Sequence, residues 1–136
     1  MDEDREFLDW FQTTWHEADI ALHNGDAGPR DETWSTQEPV TVFGAWMNAA
    51  SSEEARAVFR RIGDSFSDVE EFRIELVAHG VSGDLAYTAH REHTTTMVDG
   101  ERRQYVLRTT QVYRREGGTW KVVHRHADYE PSIQEP

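Results

Sequence analysis

DLAYTAHREHTTTMVDGERRQYVLRTTQVYRREGGTWKVVHRHAD, residues 84–128, decides the fold. Asp99-Gly100 and Gly117-Gly118 are two-residue turn signals, because both central positions of a type I′ hairpin turn need φ > 0. The runs between them are rich in Thr, Val, Tyr and His, which suit a pleated surface better than a helix. The stretch therefore reads as three long antiparallel strands. Two-residue loops also set the register. Val98 lies opposite Glu101, which brings Glu92 to Leu107 and His90 to Thr109. Glu116 lies opposite Thr119, which brings Tyr113 to Val122, Gln111 to His124 and Thr109 to His126. Directly opposed residues share a face of the sheet.

One face then collects His90, Glu92, Tyr105, Leu107, Thr109, Gln111, Tyr113, Trp120, Val122, His124, His126 and Asp128. The other collects Leu85, Tyr87, Arg91, Arg108, Arg114 and Arg125. The first has apolar bodies at one end and titratable groups at the other, and is taken as the inner face. A bulge in either hairpin swaps part of this assignment, and bulges gather next to sites in curved sheets.

Working outward, residues 3–23 carry Phe7, Phe11, Trp15, Ala18 and Leu22 at helical spacing, and Gly25 suits a left-handed cap. Asp31 to Gln37 reads as a short helix with Trp34, and VTVFGAW as a short extended piece broken by Gly44. Residues 52–66 form a second amphipathic helix. Ser51 and Glu54 match a capping box there, and Arg56, Arg60 and Arg61 face water. Residues 70–79 alternate as a half-buried strand. The tail EPSIQEP is acidic, holds two Pro and is expected to fray. Helices laid on one face of an antiparallel sheet make an α+β fold, and a long twisted sheet wraps its helices into a cone.

The chain has 136 residues, which suits one domain over residues 1–136 with a sizeable core. Fourteen basic against 26 acidic residues give a formal −12, which opposes nucleic-acid and anionic-membrane binding. Zero cysteines excludes thiolate nucleophiles, disulfides and Cys-zinc sites. The start MDEDREF lacks the basic and apolar regions of a signal peptide and no apolar run spans a bilayer, so a cytoplasmic location is expected.

The run TTQVYRREGGTWKVVHRHAD has Gly83 to Tyr87 upstream. Trp34-Ser35 and PVTVFGAW come before the second helix. Together they resemble the SnoaL-like polyketide-cyclase family of the nuclear transport factor 2-like superfamily. Residues 109–126 are also similar to the association domain of calcium/calmodulin-dependent kinase. The resemblance covers roughly residues 5 to 128. It implies a cone-shaped α+β barrel, a curved antiparallel sheet wrapped around N-terminal helices. It also implies a homodimer packed through the outer sheet face. The superfamily includes isomerases, dehydratases, epoxide hydrolases, cyclases and non-enzymatic modules, so the fold does not choose the function.

The inner face offers the chemistry. A carboxylate beside an imidazole in an apolar cone supplies a base and an acid, because burial moves both pKa values toward neutrality. The candidate catalytic residues are Glu92, His126, His90 and Asp128, with Glu92 or Asp128 as the base. Trp15, Trp34, Trp46, Tyr105, Thr109, Gln111, Tyr113 and His124 are candidate substrate contacts. Arg108 joins them if a bulge turns it inward to anchor a carboxylate or pair with Glu92. The bland alternative is a polar core layer whose members satisfy one another. The expected partner is a small apolar or aromatic molecule. The chemistry would be isomerisation, cyclisation or dehydration without a cofactor, and the alternative is a binding or oligomerisation module. No metal is expected. His124 and His126 stand about 7 Å apart along a strand and His90 about 10 Å away across two, while zinc needs convergence to about 2 Å.

Overall fold

The computed structural model describes residues 2–131. Helix α1 is α-helical over Asp2–Trp10, widens to a π-helical turn over Phe11–Trp15 and is α-helical again over His16–His23. A step of four overruns the 3.6-residue turn, so a four-spaced stripe drifts around an α-helix. The wider turn absorbs that drift. It leaves Phe7, Phe11 and Trp15 buried on one line, with Phe11 and Trp15 stacked at 4.8 Å. Gly25 ends the helix at φ +96 and donates to the Leu22 carbonyl, as a left-handed cap should.

Helix α2 spans Gly28–Thr33, earlier than the expected 31–37, because Pro29 suits a first helical turn and Trp34 is already extended. Trp34 bridges to Val122. The piece around VTVFGAW forms two strands, β1 (Thr41–Phe43) and β2 (Asn48–Ala49). Helix α3 spans Ser52–Ser65. One half of its capping box is formed, since Ser51 Oγ accepts from the Glu54 amide, while the Glu54 carboxylate reaches one residue past the cap and accepts from the Ala50 amide. Arg56 does not face water. It donates to the carbonyls of Asp31, Trp34 and Ser35, where α2 leaves its last acceptors unpaired.

Strands β3 (Phe66–Ser82), β4 (Leu85–Val98), β5 (Glu101–Glu116) and β6 (Thr119–Tyr129) complete one curved, unclosed sheet. The order is β2-β1-β6-β5-β4-β3, antiparallel throughout except that β1 runs parallel to β6. Helix α1 lies across its inner face, where Phe7 meets Tyr113 and Trp120 edge-on at 4.9 and 5.3 Å. This is the expected cone-shaped α+β architecture. The tail beyond Pro131 lies outside the described residues.

The first long hairpin keeps the expected register, with Glu92 opposite Leu107 and His90 opposite Thr109. The second starts as expected, with Tyr113 opposite Val122. Then Val123 is bulged, and Val112 meets His124, Gln111 meets Arg125 and Thr109 meets Ala127. One extra residue reverses every later side chain. His124, His126 and Asp128 leave the inner face, and Arg125 and Ala127 enter it. Arg125 is 6% exposed.

Candidate functional site

Three strands hold a closed ring of buried polar groups. On β4, His90 places Nε2 2.9 Å from Glu92 Oε2 and Nδ1 3.1 Å from Thr88 Oγ1. On β5, Tyr113 OH lies 2.7 Å from Thr88 Oγ1 and accepts from Gln111 Nε2 at 2.6 Å. From β6, Arg125 donates to both Glu92 oxygens at 2.7 and 2.8 Å and to Gln111 Oε1 at 2.9 Å. Burial by itself raises the Glu92 carboxyl. The charge and hydrogen bonds of Arg125, with that of His90, outweigh it and hold Glu92 well below the usual carboxylate range. Glu92 is therefore a paired carboxylate near neutral pH.

Beside the ring lies a chamber of about 40 Å³. Its walls are apolar, with Leu22, Val42, Phe59 and Leu107 among them, and His23, Arg30, Glu92, Tyr105 and Arg125 supply its polar groups. It has room for about three waters. Arg30 of α2 is held by Asp19 of α1 through Nε to Oδ1 at 3.0 Å and Nη2 to Oδ2, and both are buried. Its guanidinium lies 5.0 Å over the Phe59 ring. His23 Nδ1 sits 2.6 Å from the Asp19 carbonyl oxygen. A carbonyl only accepts, so Nδ1 carries the proton and the neutral ring keeps a bare Nε2 lone pair. Burial lowers the His23 pKa, so the ring is neutral at pH 7. Burial also raises the Tyr105 hydroxyl, which stays protonated and has no hydrogen-bond partner among the described residues.

A larger recess of about 390 Å³ adjoins the chamber and shares Trp46, Met47, Ile62, Phe66 and Tyr105 with it. Trp46, on the turn between β1 and β2, stands edge-on to Tyr105 at 5.6 Å and to Tyr129 at 5.9 Å, and is 46% exposed. Gly44 lets this turn close, since a Cβ there would lie 2.8 Å from the Met47 carbonyl oxygen.

The structure thus brings together only part of the expected constellation. Glu92, His90, Thr109, Gln111 and Tyr113 are inside, and among them only Glu92 faces the chamber. His126, Asp128 and His124 are on the outer face because of the Val123 bulge, so His90 and His126 project from opposite sides of the sheet. Arg108 does not turn inward. It makes a bidentate pair with Asp128 at 2.9 and 2.8 Å on that outer face. Tyr105 and Trp46 line the chamber, whereas Trp15 and Trp34 are fully buried core. The residues missed were Asp19, His23, Arg30 and Arg125. A signal existed for two of them: the step of four through Phe7, Phe11 and Trp15 continues to Asp19 and His23. Among the described residues no group of three or more His, Asp or Glu is placed to hold a metal ion. No described helix is long and apolar enough to cross a membrane.

A family model described as a SnoaL-like domain matches residues 11–129. No curated protein matches. Among solved structures, a candidate dehydratase of the NTF2-like family from Streptomyces avermitilis superposes with a TM-score of 0.79 at 20% identity. That match covers 97% of this chain and 100% of that one. A candidate calcium/calmodulin-dependent protein kinase type II association domain from Thiobacillus denitrificans gives 0.70 at 18% identity over 88% and 92%. A candidate ketosteroid isomerase from Parabacteroides distasonis gives 0.65 at 18% over 85% and 84%. At such identities the likeness is one of fold.

Proposed function

The chain belongs to the SnoaL-like domain family, and from that premise we propose that it binds a small apolar or aromatic molecule and performs cofactor-independent acid–base chemistry on it. The body of the ligand occupies the recess and a carbonyl or hydroxyl end enters the chamber. One observation carries the reading: a bare imidazole nitrogen of His23 and an unpartnered, protonated Tyr105 hydroxyl line the same apolar chamber. His23 takes a proton from the carbon beside the carbonyl. Tyr105 and the Arg125 guanidinium steady the negative oxygen that develops. Glu92, tied by Arg125 and His90, positions Arg125 rather than acting as the base. Enolisation of this kind underlies isomerisation, cyclisation and dehydration alike.

Deuterium exchange into 2-tetralone, an enolisable aromatic ketone, tests this by NMR. The protein is expected to exchange the protons beside the carbonyl faster than buffer, and Tyr105→Phe to slow that rate about 10²-fold, the usual loss for one oxyanion donor. Exchange at the buffer rate, with no thermal shift from the ketone, would remove the catalytic reading. The non-catalytic alternative draws on the chamber's small volume and on Glu92 being already paired.

We also propose a homodimer through the outer sheet face. Among the described residues no helix covers that face, and Phe43, Val77, Leu85 and Tyr87 are between 44% and 61% exposed on it. Sedimentation velocity is expected to give twice the 15.8 kDa chain mass. Leu85→Glu with Tyr87→Glu should return it to a monomer. A wild-type monomer at about 50 μM, roughly tenfold above the Kd of a weak dimer at about 5 μM, would end this part of the proposal.

A further inference from the structure

The recess outside the chamber has features that acid–base chemistry does not use. Trp46, Phe66 and Tyr105 give it aromatic walls, with Trp46 edge-on to Phe66 at 6.0 Å and to Tyr105 at 5.6 Å. Two arginines, Arg61 from α3 and Arg103 from β5, line it together with one carboxylate, Asp99. The chain has 26 acidic residues, and most of its arginines are tied to one: Arg30, Arg91, Arg102, Arg108, Arg114, Arg115 and Arg125 all form ion pairs. Among the described residues Arg61 and Arg103 form none. The recess lining is therefore net positive by one charge in a molecule whose formal net charge is −12. At physiological ionic strength the distant acids are screened beyond about 8 Å, so the local pair dominates what a bound ligand feels.

We infer that the ligand is an aromatic acid. This rests on the binding site proposed above and adds its substrate class. The ring lies among Trp46, Phe66 and Tyr105. The carboxylate faces Arg61 and Arg103 at the mouth, and a second polar group at the far end reaches the Tyr105 hydroxyl. Planar guanidinium groups suit a carboxylate better than an ammonium would.

Isothermal titration with 6-hydroxy-2-naphthoate and its neutral counterpart 6-hydroxy-2-naphthamide separates the two layers. The acid is expected to bind the wild type at least tenfold more tightly than the amide. Arg61→Gln with Arg103→Gln should cost the acid about tenfold and leave the amide unchanged. Both side chains are exposed, so the variant should melt like the wild type. If acid and amide bind equally and Tyr105→Phe weakens both, the pocket stands and the carboxylate inference falls. If neither binds at millimolar concentration, the pocket reading falls and takes the inference with it.

Discussion

Replacing Arg125 by Met is expected to lower the unfolding free energy by about 3–5 kcal/mol, the usual cost of removing one partner from a buried ion pair. The two side chains are only 8% and 2% exposed, so neither charge has water to fall back on. The variant keeps the Glu92 carboxyl inside with His90 as its nearest partner, and it strips Gln111 Oε1 of its donor. Urea unfolding at pH 7 measures the loss. The double variant Arg125→Met with Glu92→Leu should recover more than half of it, because it removes the second charge as well. A loss under about 1 kcal/mol for the single variant would mean that the pair is solvated in solution.

The same pair sets a pH signature. In the wild type the folded pKa of Glu92 is depressed, so its contribution is complete above the unfolded value of about 4.3 and disappears as pH falls through the folded pKa. In Arg125→Met the opposing charge is gone and burial raises the carboxyl instead. That contribution is fully present below the unfolded value and is lost as pH rises through the folded one. The gap between the two proteins should therefore narrow as pH drops from 7 to 4.

This pair also accounts for what could and could not be read in the chain. The first hairpin was legible because Asp99-Gly100 sets its own turn, at φ 51 and 83, and nothing downstream contests it. The second turn was legible too, at Gly117 and Gly118, but the strand after it was not. A regular ladder through Val123 would send Arg125 outward and leave Glu92 buried without its cation, at a cost of about 3–5 kcal/mol. A bulge gives up about one ladder hydrogen bond, worth roughly 0.5–1.5 kcal/mol. Stranding the carboxylate is the worse outcome, so the strand bulges, and the reason lies at Glu92, 33 residues away in sequence. No local pattern holds that information. The histidines at 124 and 126 were persuasive because alternation placed them beside His90, and alternation is what a bulge breaks. In α1 the apolar members of the stripe were read as core and the polar ones, Asp19 and His23, passed over. The helix continues the same face past Trp15, so those two arrive at the chamber for the reason that Phe11 arrives in the core.

Replacing His23 by Ala is expected to reduce the exchange or turnover rate about 10²- to 10⁴-fold, the span seen when a positioned general base is lost. Among the polar groups lining the chamber, His23 alone offers a free basic lone pair at pH 7: Glu92 is held by two donors, Arg30 and Arg125 are cations, and the Tyr105 hydroxyl is protonated and far too weak a base. The pH profile separates a base from a packing residue. A base must be unprotonated, so the rate should fall as pH drops through the His23 pKa. Burial places that acid limb below the ordinary value of about 6.5. His23 also packs against Phe72 and Phe66, at 4.7 and 5.3 Å between ring centroids, so Ala leaves a void as well as removing the nitrogen. His23→Gln keeps more of the volume and can still bond the Asp19 carbonyl, but it offers no base. It should melt closer to the wild type while remaining as slow as His23→Ala. If His23→Gln exchanges 2-tetralone at the wild-type rate with the acid limb unmoved, the proton goes elsewhere. Asp19, held by Arg30 behind the imidazole, would then be the next group to test.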